Sequence, residues 1–396
     1  MEKILSNFDK VFERFKFKLN LLNKIMHIAI DGNEANVNNL VGVSVYTLSL
    51  LKYFEKVASE KIKFTVFLRN YPNSDMPEEN EFFQYEVIPA KILWSQIFLP
   101  FNLMNRRDID VFFSPAHYSP RFMKQPLVVT IHDLSYKYFP NEFLKKDLYK
   151  LESWSKRSIM KAKKVIAVSK TTKKDVIRHY GLSDEKIKVI YNGFLTNKTP
   201  KDSIELIKKK FFLKKNEYLL HVGTIQPRKN IIKLIRAFEK FYKNHSNFKL
   251  VLVGKKGWLY EKVFDEVKSL NLESSIIFTG YVTEDVKSSL YSNAYCLVFP
   301  SLYEGFGIPI LEAMSHLCPV VASHSSSLPE VGGDSCLYFD PNDENDLNSK
   351  LEKLFQDKDL YKALITNGNN RVKNFSWEKC AKETLEVITS VVNSPI

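Results

Sequence analysis

The chain has 396 residues, of which 44% are hydrophobic and 26% are charged, and its formal net charge at pH 7 is +13. This length accommodates two domains of ordinary size, and the composition excludes a disordered or fibrous protein. No apolar run reaches the roughly 18–20 residues that span a bilayer, and the charged N-terminus is unlike a cleavable signal. We therefore expect a cytoplasmic protein, and we keep open its peripheral attachment to the inner face of the plasma membrane.

An anionic partner or an anionic surface would account for the basic excess. Nucleic acid, anionic lipid head groups and phosphate-bearing substrates all have the necessary charge. The lysines are spread along the chain and no nucleic-acid-binding motif occurs, so we expect no nucleic acid partner. The charge favours equally an anionic membrane surface and a lysine-rich composition that has no functional role.

The four cysteines show neither a C-x-x-C spacing nor a Cys/His pattern typical of a metal site. They are Cys296, Cys318, Cys336 and Cys380. Two of them fall within predicted buried strands or at strand edges, where a cysteine behaves as a small apolar residue. The pattern predicts reduced thiols in a reducing compartment and no metal site.

Residues 1–25 precede the first predicted strand and have their own pattern. Basic residues are interspersed with apolar residues that recur at helical spacing. The apolar residues are Ile4, Phe8, Val11, Phe12, Phe15, Leu19 and Leu22. This describes a basic amphipathic helix that suits a membrane interface. A helix docked on the core of the protein and an extension with little order are the two alternatives.

From Met26 onward, strands alternate with helices, which predicts an α/β fold. The buried strand MHIAIDG leads into a loop that ends at Gly42, and a glycine before a helix lets main-chain N–H groups approach a phosphate. A later strand, LVVTIHD, ends at His132. Ligands bind at the carboxyl ends of parallel strands, so His132 is a candidate site residue, although a histidine there is more often structural. The polar segment FLTNKTPKDS then predicts a linker between two domains.

The second half repeats the alternation and places cations after its first strand. EYLLHVG is followed by Thr224, Arg228 and Lys229, and two cations between a strand and a helix suit a pyrophosphate. The alternative is a solvated basic turn. Two further strands are followed by glycine-containing loops at Gly254–Gly257 and Gly280–Val282.

Residues Tyr295–Glu330 carry the most informative pattern. A buried strand, YCLVFP, is followed by a loop with Gly305 and Gly307, a helix that Pro309 begins, and the strand PVVAS. The start of that helix offers free N–H groups to an anion. Glu304 and Glu312 lie eight residues apart, and a carboxylate can accept paired hydrogen bonds from the vicinal hydroxyls of a ribose or a sugar. Ordinary surface glutamates are the alternative explanation.

The stretch EGFGIPILE, between a strand ending FPS and the strand PVVAS, resembles the E-x7-E signature of the family 4 glycosyltransferases. Members are retaining enzymes with the GT-B fold, in which two Rossmann-like domains face each other across a cleft and a C-terminal helix crosses back to the first domain. The resemblance extends to AVSK, YG and KVIYNG in the first half. It implies an extension over residues 1–25, an acceptor-side domain over 26–198, a donor-binding domain over 199–375 and the returning helix over 376–396.

The resemblance also implies an activity, namely transfer of a sugar from a nucleoside diphosphate sugar to a hydroxyl of a glycan or a lipid-linked acceptor. Glu312 would bind the ribose, Arg228 and Lys229 the phosphates, and Glu304 the sugar, while His132 would contact the donor sugar. The expected donor-binding set is completed by Gly42, Thr224, Gly254, Tyr281, Val282, Gly305, Phe306, Gly307 and Ile308. No metal and no cofactor is expected, because the two cations and the helix dipole would supply the positive charge.

SPAHYSP and HDLSY look most like mannosyl- or rhamnosyltransferases that build surface polysaccharides. A dehydrogenase is excluded, since no G-x-G-x-x-G follows the first strand. Two alternatives stay open at this point: another GT-B enzyme of the phosphorylase or epimerase type, and a nucleotide-sugar binding protein without transferase activity.

Overall fold

The computed structural model describes residues 25–38, 40, 42–90, 92–194 and 198–392. The predicted amphipathic helix of the N-terminal extension therefore lies, apart from Ile25, outside the described residues. No described helix combines the length and the apolar composition that crossing a lipid bilayer requires.

Thirteen strands are described, and they form two parallel sheets. They are β1 (Met26–Asp31), β2 (Ile62–Leu68), β3 (Phe83–Val87), β4 (Val111–Ser114), β5 (Leu127–Ile131), β6 (Lys164–Ala167), β7 (Ile187–Val189), β8 (Tyr218–Val222), β9 (Lys249–Val253), β10 (Ile276–Gly280), β11 (Cys296–Phe299), β12 (Val320–Ser323) and β13 (Leu337–Phe339). The first sheet has the strand order β3-β2-β1-β4-β5-β6-β7, and the second has the order β10-β9-β8-β11-β12-β13.

Helices connect the strands. The α-helices are α1 (Val43–Val57), α2 (Leu99–Met104), α3 (Ser135–Tyr138), α4 (Lys145–Lys161), α5 (Lys170–Tyr180), α6 (Ser203–Phe211), α7 (Ile231–Asn244), α8 (Glu261–Ser269), α9 (Glu284–Asn293), α10 (Ile308–Ser315), α11 (Leu328–Gly332), α12 (Glu344–Gln356), α13 (Lys358–Arg371) and α14 (Trp377–Val392). A π-helical turn, Trp94–Phe98, runs directly into α2. Short 3-10 turns include Pro140–Glu142 after α3 and Pro227–Lys229 after β8.

The central strands read as continuous apolar runs because both of their faces are covered. In the second sheet, Leu220 and Leu297 belong to the core on one face, whereas Leu219 and Val298 belong to the core on the other. Successive side chains of a strand point to opposite faces, so a strand between two layers of helices must be apolar at every position. All strands of a parallel sheet end at the same edge, and the loops that follow them meet there.

The described residues group into two compact units. The first contains the described residues up to Thr130, the stretch Trp154–Ile166, and the described residues from Ala381 onward. The second contains Ile131–Ser153 and Ala167–Cys380. The domain boundaries given above stay a prediction. His132 and the E-x7-E stretch belong to one unit, which allows the geometry of the candidate site to be described within it.

β3 and β7 form the two edges of the first sheet. No strand is predicted above for β3, although its sequence, FQYEV, alternates apolar and polar residues in the way that is typical of a half-buried strand. β7 is limited to Ile187–Val189, and the chain leaves the sheet before the Asn–Gly pair of KVIYNGF.

Candidate functional site

The loop after β11 carries Glu304, and hydrogen bonds to its main chain support it. The Ser327 hydroxyl lies 2.9 Å from the carbonyl oxygen of Glu304 and 2.8 Å from that of Phe306, and its single proton is shared between these two acceptors. Gly307, which immediately precedes α10, has a φ of 112°, a left-handed value that a side chain would disfavour. Pro309 lies in the first turn of α10, as predicted.

Arg228 and Lys229 lie in the 3-10 turn after β8, and both reach Glu304. The Lys229 ammonium donates a short hydrogen bond to Glu304 Oε1, while Arg228 Nη1 lies 3.6 Å from Glu304 Oε2. Arg228 Nη1 also donates to the carbonyl oxygen of Tyr303 at 2.8 Å. The structure thus brings together two predicted phosphate ligands and the first glutamate of E-x7-E.

Burial and charge compete at these three side chains, each of which is only 12–14% exposed. For Glu304, burial opposes ionisation, but Lys229 and Arg228 outweigh it and hold the pKa below its usual value. For Lys229, burial is the larger effect and lowers the ammonium pKa despite the attraction of Glu304. The ion pair is therefore formed by a firmly ionised carboxylate.

Two further carboxylates surround the cations. Glu142 Oε2 accepts a hydrogen bond from the main-chain N–H of Arg228 at 3.1 Å. Burial lowers the pKa of Arg228, but the carboxylates of Glu304, Asp133 and Glu142 outweigh it and raise that pKa. Three carboxylates around two cations leave no excess of positive charge. The positive charge of these cations is therefore already balanced in the described structure.

His132 immediately follows β5, and its main chain lies against the glycine loop. A Cβ atom on Gly305 would come within 1.9 Å of the His132 carbonyl oxygen, which excludes any other residue at that position without movement of the chain. The Thr172 hydroxyl is 3.4 Å from the carbonyl oxygens of both His132 and Gly305. His132 and Glu304 therefore belong to two loops that are packed together.

Glu312, the second glutamate of the motif, is bound by two side chains of α9. Lys287 Nζ donates to Glu312 Oε1 at 3.0 Å, and the Tyr291 hydroxyl donates to Oε2 at 2.9 Å. Burial and the neighbouring carboxylate raise the pKa of Tyr291, so this hydroxyl keeps its proton. Each carboxylate oxygen has a second lone pair, which leaves Glu312 able to accept hydrogen bonds from a ribose.

A tyrosine–aspartate cluster supports the loop from the side. The hydroxyls of Tyr303 and Tyr138 each donate to a different oxygen of Asp175, and the two rings stack at 5.1 Å. Burial and Asp175 raise the pKa of Tyr138 to about 12. The cluster immobilises Tyr303, whose carbonyl oxygen binds Arg228.

His221 lies on β8, close to the cations, and is fully buried. Its Nδ1 is 3.1 Å from the Val298 carbonyl oxygen, which assigns the proton to Nδ1, and its ring stacks on Phe299. Nε2 has no hydrogen-bond partner within the described chain. Burial lowers the pKa of His221 to about 4, and the nearby Lys229 ammonium acts in the same direction.

Two models of known families match the chain. "Glycosyltransferase Family 4" matches residues 41–198, and "Glycosyl transferases group 1" matches residues 202–371. An O-antigen chain mannosyltransferase B of Escherichia coli is 32% identical over 279 residues, which are 69% of this chain and 73% of that protein. The chain belongs to family 4 of the glycosyltransferases. The O-antigen chain mannosyltransferase RfbU of Salmonella typhimurium is 33% identical over 253 residues, or 63% of this chain and 65% of that protein.

Solved structures establish the fold of this glycosyltransferase. Anabaena Alr3699/HepE, in complex with UDP and glucose, matches with a TM-score of 0.71 at 18% identity and covers 92% of this chain and 100% of that one. WaaG, a glycosyltransferase involved in lipopolysaccharide biosynthesis, matches with a TM-score of 0.68 at 17% identity over 92% of this chain and all of that one. The predicted GT-B fold is confirmed.

The remaining predicted donor ligands of the glycosyltransferase lie in several environments. A Cβ on Gly254 would come within 2.0 Å of the Gly223 carbonyl oxygen, and one on Gly257 within 2.9 Å of the Thr224 methyl carbon, so these loops pack tightly. Tyr281 is half exposed, with the Lys255 ammonium 5.2 Å from its ring centre.

The side chains of Val282 and Phe306 are in the core, which leaves only their main chain for a ligand. Ile308, the first residue of α10, is partly buried against the same core. Gly42 precedes α1 in the first unit with a φ of 46°. Among the residues that the structure describes, no cluster of three or more His, Cys, Asp and Glu could hold a metal ion.

Sequence reasoning missed Lys287, Tyr291, Glu142 and the Tyr138–Asp175 pair. Lys287 and Tyr291 are four residues apart, so they share one face of α9, but nothing in the sequence shows that this face meets Glu312. Glu142 follows Pro140 in a segment without periodicity, and its role depends on the fold bringing it to Arg228.

Proposed function

We propose that this glycosyltransferase transfers a hexose, with mannose favoured, from a nucleoside diphosphate sugar to an acceptor hydroxyl in the synthesis of a cell-surface polysaccharide or lipid-linked glycan. Retention of the anomeric configuration is part of the proposal. The two O-antigen mannosyltransferase relatives support the sugar and the pathway class. The observation that carries the proposal is the contact of Lys229 and Arg228 with Glu304.

The donor would bind by exchanging one anion for another. Its diphosphate replaces the Glu304 carboxylate on Lys229 and Arg228, and the released carboxylate accepts hydrogen bonds from hydroxyls of the sugar. Glu312, already oriented by Lys287 and Tyr291, accepts the ribose hydroxyls. One glutamate thus serves each end of the donor.

Catalysis would rest on charge stabilisation of the leaving nucleoside diphosphate. As the glycosidic bond breaks, negative charge grows on the diphosphate, and two buried cations stabilise that charge more strongly than water-exposed cations would. His132 would contact the donor sugar, at the position that the packing against Gly305 defines. In this proposal the cations replace the charge of a metal ion, and no cofactor takes part.

Thermal unfolding tests the donor site. The chain is melted with UDP, GDP, ADP and dTDP, each with and without EDTA. A nucleotide at 100 times its dissociation constant adds about 2.7 kcal/mol of stability. Stabilisation by one nucleotide despite EDTA identifies the base and supports a metal-independent site. Stabilisation by none of the four contradicts the donor site around Glu304 and Glu312.

Donor turnover separates the transferase from its alternatives. We expect slow release of the nucleoside diphosphate from GDP-mannose or another sugar nucleotide, and faster release when a glycan acceptor is added. Binding without any release would favour a nucleotide-sugar binding protein. The one-bond coupling constant between the anomeric carbon and its proton in the product tests retention, because it distinguishes the two anomers of a mannoside. Absorbance of the purified chain near the pyridoxal phosphate maximum would favour a phosphorylase.

A further inference from the structure

The helical segment Trp94–Met104 exposes large apolar side chains. Its inner face is buried, with the Trp94 indole N–H donating to the Ile88 carbonyl oxygen at 2.8 Å. Its outer face presents Ile97, Phe98, Phe101 and Met104, which are 40–68% exposed. The outer face of a surface helix is normally polar. These four residues, which we call the outer apolar face, therefore require a partner that the described chain does not provide.

A neighbouring loop extends this surface and adds cations. Gln125 Nε2 donates to the carbonyl oxygens of Leu103 (3.0 Å) and Arg106 (2.8 Å), which holds the loop against the end of α2. Phe122 in the loop is 62% exposed, and the Arg121 guanidinium lies over its ring at 5.1 Å.

More basic residues surround the same loop. Lys161 at the end of α4 donates to the Met123 carbonyl oxygen at 2.8 Å, and Arg157 approaches Gln96 at 3.5 Å. Lys124 is exposed in the loop, and so is Arg107 after α2. The acids beside them, Glu86 and Asp108, are both paired with Arg106. Among the described residues named here, the cations beside the outer apolar face outnumber the acids, and this part of the surface therefore has a net positive charge.

The positive charge around the outer apolar face determines which kind of partner can bind there. A second copy of the chain would bring the same cations and a net charge of +13 to the contact. The N-terminal residues 1–24 are themselves basic, with six lysines and arginines against three acids. Either occupant would add positive charge to a surface that is already basic, and the charge repulsion opposes its binding there. An anionic lipid surface supplies phosphate groups for the cations and acyl chains for the apolar side chains.

We propose that the outer apolar face of Trp94–Met104, with Phe122, inserts into the interface of an anionic bilayer while the surrounding cations bind lipid phosphates. This proposal goes beyond the proposed function, because it concerns a surface of the first unit and holds whatever the donor is. An enzyme that modifies a lipid-linked acceptor gains from such attachment, since its acceptor is confined to the same surface.

The test uses the full chain and vesicles of phosphatidylglycerol and phosphatidylcholine. Phe101→Ser is expected to lower the partition coefficient by about tenfold, the equivalent of burying one phenylalanine side chain. The control is Phe212→Ser on the second unit, where Phe212 is 89% exposed, and binding should not change. Replacing Arg121 and Lys124 by glutamine should weaken binding to anionic vesicles by about fivefold per charge.

A second pair of variants locates the bilayer directly. Phe101→Trp should be quenched by brominated lipid, and Phe212→Trp should not. Equal binding to purely zwitterionic vesicles would overturn the proposal, as would unquenched fluorescence at position 101 when the chain sediments with vesicles. Sedimentation velocity adds a third decisive result: a dimer that Phe101→Ser converts to a monomer, with vesicle binding unchanged, would assign the face to a second copy. Donor hydrolysis without lipid should stay unchanged in every variant, which separates this proposal from the proposed function.

Discussion

Gly305 lies directly against the main-chain carbonyl of His132, with room for a hydrogen atom and no room for a methyl group. This contact joins the loop that carries Glu304 to the strand end that carries His132. The contact therefore sets how closely the two main-chain segments that carry these candidate catalytic residues can approach each other. Gly305 therefore acts by allowing the loop that carries Glu304 to pack against the strand end that carries His132.

Replacing Gly305 by alanine should displace the loop. The added methyl overlaps the His132 carbonyl oxygen, so we expect a loss of about 1–3 kcal/mol of stability and a decrease in kcat of more than about tenfold. The control is Gly181→Ala. Gly181 has a φ of 66° and no atoms near its Cβ position, so alanine there costs stability through backbone strain alone. Equal kcat values for the two variants at equal stability would contradict the positioning role.

Glu304→Gln should separate nucleotide binding from transfer. The variant removes the charge that competes with the diphosphate, so a free nucleoside diphosphate should bind about tenfold more tightly, while sugar transfer is largely lost. Isothermal calorimetry and donor turnover measure the two effects. Glu266→Gln, which removes a surface ion pair with Arg236, should change neither. Weaker nucleotide binding in Glu304→Gln would show that the two anions do not compete.

Lys287→Met should weaken donor binding without slowing the chemical step. Glu312 would lose the cation that orients it and would be left partly buried without a charge partner, which raises KM for the donor by about tenfold or more. At saturating donor, kcat should stay near the wild-type value, because Lys287 contacts only Glu312 and Glu284 among the described acidic groups. Lys262→Met, an exposed lysine of α8, is the control. A selective loss of kcat would assign Lys287 a different role.

His221 should make the stability of the chain depend on pH below neutrality. In the unfolded chain this histidine binds a proton below about pH 6.5, whereas burial in the folded chain lowers its pKa to about 4. The unfolded state therefore binds more protons between these values, and the free energy of unfolding falls as the pH decreases from 6.5 toward 4, by up to about 3 kcal/mol.

His221→Asn isolates that contribution. The asparagine amide can replace the Nδ1–H donor to Val298, and it does not titrate. Chemical denaturation at several pH values should give the variant a smaller loss of stability over this window than the wild-type chain, although other histidines still contribute. Parallel stability curves for the two proteins would show that folding does not change the pKa of His221, which would contradict the effect of burial.

The sequence predicts the glycine loop after β11, but it does not predict the side chains from distant parts of the chain that hold this loop in place. Pro309, Gly305 and Gly307 can be identified from the sequence because each meets a local conformational requirement of the main chain. Glu304 is identified by its spacing of eight residues from Glu312 in the motif. The Asp175 carboxylate, by contrast, reaches Tyr303 across 128 residues of chain. Such a partner depends on the angle at which two loops meet, and no local pattern encodes it.

The outer apolar face is a second feature that the sequence does not predict, because apolar residues are exposed there where burial is expected. The segment around Trp94 predicts a helix, and its apolar residues would ordinarily be assigned to the core. The π-helical turn inserts an extra residue per turn, which changes the face that the following side chains occupy. Trp94 and Leu99 are buried, while Phe98 and Phe101 are exposed. Periodicity alone does not distinguish these two groups.

All four cysteines are buried, so we expect the folded chain to react slowly with thiol reagents. Burial raises the pKa of Cys318 and of Cys336 to about 12, so at neutral pH neither supplies the thiolate that alkylation requires. A cysteine introduced on the surface would therefore be modified selectively, without removal of the native thiols. Spin or fluorescent labels at position 101 or 212 could then follow the enzyme on a bilayer in its otherwise natural sequence.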